Sequence, residues 1–138
     1  MQQLTQEILR LCREYGECRV EVERMEEARR VKNALESVCS MARQRLDISD
    51  PALLLALLDA CEVTRDEGML QEVLDVVGRN LDRLAVSVES VKLLACCYYY
   101  VEEEECAERA RRMLEELRKM GRGEEELADA ETILEELT

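Results

Sequence analysis

The chain has 138 residues, one domain's worth, and is 47% hydrophobic and 37% charged with one proline and five glycines. That is too apolar for a disordered tail and too poor in breakers for a loop-rich β sandwich. A net charge of -13 and the complete absence of histidine exclude His-based acid–base, nucleophilic and zinc-protease chemistry and argue against a polyanionic partner.

Apolar residues recur every three or four positions throughout, so the expected fold is all-α, with about seven helices in a single domain. The first helix is expected over about Leu4–Tyr15, on Leu4, Ile8, Leu11, Cys12 and Tyr15, with Thr5 as cap and Gly16 as stop. A long second helix, roughly Val20–Leu46, carries Ala28, Val31, Leu35, Val38 and Ala42 at alternating spacings of three and four. It would complete an N-terminal hairpin over 1–48, and its stripe offers a homodimer seam.

Ser49-Asp50-Pro51 joins two candidate caps to a proline at the first helical position, and opens a third helix to about Val63. Its leucines at 53, 54, 55, 57 and 58 cover more than one face, which implies burial between two layers. After a turn over Thr64–Gly68, Asp66 is placed to cap a fourth helix on Leu70, Val73, Leu74, Val77, Leu81 and Leu84. Ser87 caps a fifth, Val88–Val101. Cys106–Met120 is a sixth, closed by Gly121 and Gly123. A last, capping helix over 124–138 sets Leu127, Ala130, Ile133, Leu134 and Leu137 on one stripe, with Glu124, Glu125 and Glu126 at its positive end.

Shifting the chain by 36 residues lays Leu57-Leu58-Asp59-Ala60-Cys61 over Leu93-Leu94-Ala95-Cys96-Cys97, and apolar pairs follow from Leu70 with Cys106 to Leu84 with Met120. Met69 over Glu105 and Val73 over Arg109 break the pattern. The expected units are 50–84 and 87–120, two helical hairpins in register. Such a helix–turn–helix period, with Arg79-Asn80-Leu81-Asp82-Arg83-Leu84 followed by a capped Val91, Leu93 and Leu94, resembles the tetratricopeptide superfamily, the heptatricopeptide kind most of all. The resemblance covers about residues 50–120. It implies antiparallel hairpins stacked as an α-solenoid, and a non-enzymatic role as scaffold, adaptor or complex subunit holding a protein or peptide in a groove. Related organelle arrays hold RNA, the alternative reading; residues 49–138 carry ten basic and 23 acidic side chains, which points to a protein partner instead.

For the site, Tyr98, Tyr99 and Tyr100 span about 200° of one helix and cannot all be buried alike. Tyr98 is expected in the core with Leu94 and Val101, and Tyr99 on a groove face with Lys92 and Ala95; an exposed pair would anchor a partner. Asp59, among Leu58, Ala60 and Cys61, is the one carboxylate in an apolar setting and is read as a groove contact. Glu102 to Glu105 read as a solvated helix start rather than a cation site. Seven cysteines, an odd number without a Cys-x-x-Cys pair, imply buried reduced thiols, a reducing intracellular setting, and neither metal nor other cofactor. No apolar run is long enough to span a membrane, and the first fifteen residues lack the layout of a secretory signal.

Overall fold

The computed structural model describes residues 2–121 and 124–137. It is 83% helical, with seven α-helices and no strand among the described residues. These are α1 (Gln2–Cys18), α2 (Met25–Arg43), α3 (Pro51–Thr64), α4 (Glu67–Arg79), α5 (Val88–Val101), α6 (Glu104–Lys119) and α7 (Glu124–Leu137), with short 3-10 turns at Val22–Arg24 and Leu81–Arg83. The helices fall into two compact units, Met1–Val73 and Leu74–Thr138, divided within α4.

In the first unit α1 packs against both α2 and α3, and α2 against α3. Ile8, Leu11 and Cys18 from α1, Ala28, Leu35, Cys39 and Ala42 from α2, and Leu53, Leu54, Ala56, Leu57, Leu58, Ala60 and Cys61 of α3 are among its buried side chains. Gly16 does not stop α1: the Arg19 N–H still donates to the Tyr15 carbonyl at 2.9 Å, and Cys18, two residues past the glycine, is buried. The gain from burying Cys18 outweighs the roughly 1 kcal/mol that a mid-helix glycine costs.

The second helix is shorter than the spacing suggests. Val20, Val22 and Met25 are exposed, the buried stripe begins only at Ala28, and nothing rewards extending the helix backwards. Leu35 and Ala42 are fully buried, and Val31 and Val38 half-buried, within the chain, so most of the stripe offered as a dimer seam is already covered. At its far end Arg43 forms a two-pronged pair with Glu72 (2.9 and 2.6 Å) and reaches Asp66 at 3.4 Å, fastening the end of α2 to the start of α4. The guanidinium holds the Glu72 carboxyl below its ordinary value.

In the second unit α5 packs on α6 and α7, and α6 on α7. Val91, Leu93, Leu94, Ala95 and Cys97 of α5 meet a core completed by Cys106, Ala110, Met113, Leu114 and Leu117 of α6 and Leu127 and Leu134 of α7. The Arg118–Glu131 ion pair links α6 to α7. Gly121, with φ of +69°, turns the chain after α6. Gly123 lies outside the described residues, as do the side chains of Glu124, Glu126, Ala130, Ile133 and Leu137.

Local structure recurs along the chain, but with a period of 37 rather than 36. Asp50 caps α3 by accepting from the Leu53 N–H, and Ser87, 37 positions on, caps α5 by accepting from the Ser90 N–H. Arg65 and Glu102, again 37 apart, both end their helices in the left-handed conformation (φ 58° and 52°), each donating its N–H four residues back, to Cys61 and Tyr98. The helices that follow begin at Glu67 and Glu104. In this frame the two mismatches vanish: buried Met69 and Val73 fall on buried Cys106 and Ala110. A shift of 36 aligns identical letters, Leu-Leu and Cys, whereas a shift of 37 aligns caps and buried faces.

Candidate functional site

Capping by Ser87 fixes where α5 starts, and thereby which way each tyrosine points. The same hydroxyl donates to the buried Ser90 Oγ at 2.9 Å. Eight residues further on, Tyr98 is buried beside Leu94, as the helical spacing requires, and its hydroxyl lies 3.4 Å from Glu104 Oε2. Burial, with the Glu104 charge behind it, pushes the Tyr98 phenol up from its ordinary value. Val101, expected in the core with Tyr98, is exposed instead, because α5 ends there.

Tyr99 is 59% exposed, and its ring meets that of half-buried Tyr100 edge to face, with centroids 5.2 Å apart. Two exposed-side rings held against each other present a broad, stiff surface at little further entropy cost. Lys92 and Cys96, half-buried, lie on the same side of α5 at helical spacing from Tyr99 and Tyr100. Ala95, expected with them, is fully buried.

The 37-residue frame gives each of these residues a counterpart on α3: Leu55 for Lys92, Asp59 for Cys96, Glu62 for Tyr99 and Val63 for Tyr100. Exposure agrees position by position for three of the pairs, Asp59 being the more exposed member of its own. Asp59, Glu62 and Val63 line an open groove of about 770 Å³ whose other wall is α1, with Leu9, Arg10, Cys12 and Arg13. Asp59 is exposed at its edge, yet partial burial raises its carboxyl from the ordinary value, and the charge of Glu62 one turn later adds to the effect. The sequence singled out Asp59 but not the α1 wall. Leu9 was the available signal: it sits one residue off the buried stripe and remains 37% exposed.

None of the seven cysteines forms a disulfide. Cys12, Cys39 and Cys61, one each from α1, α2 and α3, are pushed up by burial to about 11, 12 and 12, and burial likewise raises Cys97 and Cys106. Thiols so far above neutral pH are poor nucleophiles and behave as small apolar side chains. Among the described residues no group of Cys, Asp and Glu side chains is arranged to hold a metal ion. Glu102 to Glu105 are exposed, with Glu104 and Glu105 in the first turn of α6. No described helix is long and apolar enough to cross a membrane. No family model, curated protein or solved structure matches the chain.

Proposed function

We propose that the chain is a non-enzymatic helical-repeat adaptor, built of tetratricopeptide-like stacked hairpins, that binds a protein or peptide partner through the face of α5 bearing Lys92, Tyr99 and Tyr100, with Asp59 on the corresponding face of α3. The observation that carries this reading is the positional equivalence of the tyrosine face with a groove wall: what α3 turns toward an open groove as Asp59, Glu62 and Val63, α5 presents as Cys96, Tyr99 and Tyr100. Packing order adds support, since in each unit the leading helix contacts both its own hairpin partner and the helix that opens the next element, the neighbour relation of stacked hairpins.

The test spares Tyr98, whose removal would open the core. Wild-type protein and the double variant Tyr99→Ala, Tyr100→Ala, matched by circular dichroism and melting temperature, are used as bait on extract from the native source with cross-linking and mass spectrometry. A protein partner captured by wild type and absent from the folded variant is the expected result. An unchanged set of captured proteins removes the tyrosine assignment.

A further inference from the structure

The groove between α1 and α3 lies wholly within the first unit. On α1, Arg10 is clasped by carboxylates of its own helix, Glu7 and Glu14, the latter at 2.6 Å. On α3, Asp59 and Glu62 stand one turn apart and repel each other. Among the described residues no arginine or lysine pairs with Asp59, although Arg10 and Arg13 line the same groove. Leu9, Cys12 and Val63 supply apolar lining beside that carboxylate. A partly desolvated anion with no cation, next to an apolar surface, is complementary to a long side chain with an aliphatic stem and a positive end. The volume, about 770 Å³, exceeds what one such side chain needs and leaves room for apolar neighbours. A chain carrying -13 overall also attracts basic segments over a distance.

We infer that the α1–α3 groove docks a basic segment of a partner protein, with a lysine or arginine stem lying along Leu9, Cys12 and Val63 and its cationic head on Asp59. This rests on the adaptor reading and deepens it by naming the chemistry of the partner that Asp59 meets; Tyr99 and Tyr100 are not among the residues that line the groove.

The probe is a fluorescein-labelled peptide of leucine, alanine and lysine, compared with its norleucine-for-lysine twin by fluorescence anisotropy in about 150 mM salt, where non-specific attraction is screened. Wild type is expected to prefer the lysine form. Asp59→Asn, which keeps size and shape, is expected to weaken that form about tenfold and leave the norleucine form unchanged, as loss of one charge-assisted contact requires. Glu23→Gln makes the same charge change on an exposed acid that does not line the groove, and is expected to stay within about twofold of wild type. No binding by wild type, equal affinity for the two peptides, or equal losses in Asp59→Asn and Glu23→Gln would each overturn the proposal. The Tyr99→Ala, Tyr100→Ala protein should bind the probe normally, so failure at the groove and failure at the tyrosines are read out separately.

Discussion

Asp59 is held at a cost to the fold. Its carboxyl is raised above 3.8 in the folded chain, so folding favours the protonated acid, and stability falls as pH rises from about 3.8 through the folded value. At neutral pH the penalty is fully present; below 3.8 both states carry the proton and it disappears. Asp59→Asn should therefore raise the urea midpoint at pH 7, by on the order of 0.5 kcal/mol for so exposed a group, and lose that advantage at pH 3. A variant no more stable than wild type at pH 7 would mean that the carboxylate is already compensated. The opposite case is Glu72, lowered by Arg43: its contribution is present above about 4.5 and drains away as pH falls through the depressed value. A destabilising residue at a groove and a stabilising one at a helix junction are thus separable by pH alone, and the former pattern is what binding sites show when function competes with stability.

Helix ends offer a paired test, because two substitutions of opposite sense should both stabilise. Gly16 lies in the last turn of α1 with nothing within 4 Å of where a Cβ would sit, so Gly16→Ala removes unfolded-chain freedom without a clash. Arg65 holds a left-handed φ of 58° at the end of α3, where a side chain is strained, so Arg65→Gly relieves that strain. Each is expected to add about 0.5–1 kcal/mol in urea unfolding. A loss at Arg65→Gly would show that the arginine makes contacts worth more than its backbone strain. These ends also mark the limit of what the sequence discloses. Asp50-Pro51 and Ser87 announce α3 and α5 because capping is local chemistry, and Asp66, accepting from the Met69 N–H at 3.0 Å, caps α4 for the same reason. Nothing local announces that α2 waits until Met25, since that depends on which valines the core needs, or that Gly16 is overridden by a buried cysteine two residues later. Burial of Tyr98 and exposure of Tyr99 were legible from helical period alone; the groove wall on α1 was not, because it takes a second helix far away in the chain to make Leu9 part of a site.

An amphipathic helix can cover its neighbours with one side and face water with the other, and α7 does both. Leu127 and Leu134 are buried, while Glu125, Ala128, Asp129, Thr132 and Glu135 are exposed, so one side is apolar and the other acidic. Leu134 lies with Leu114 of α6 along one cleft, and Glu131 pairs with Arg118. Ending the chain at Gly121 would uncover Leu114 and its surroundings and leave Arg118 unpaired, a loss of about 3 kcal/mol or more from the two leucines. The exposed face would then meet its like on a second molecule, without the carboxylates of α7 to keep copies apart. The shortened protein should unfold at lower urea and self-associate by light scattering in proportion to its concentration. If it stays monomeric and as stable as the full chain, α7 decorates the second unit rather than covering it.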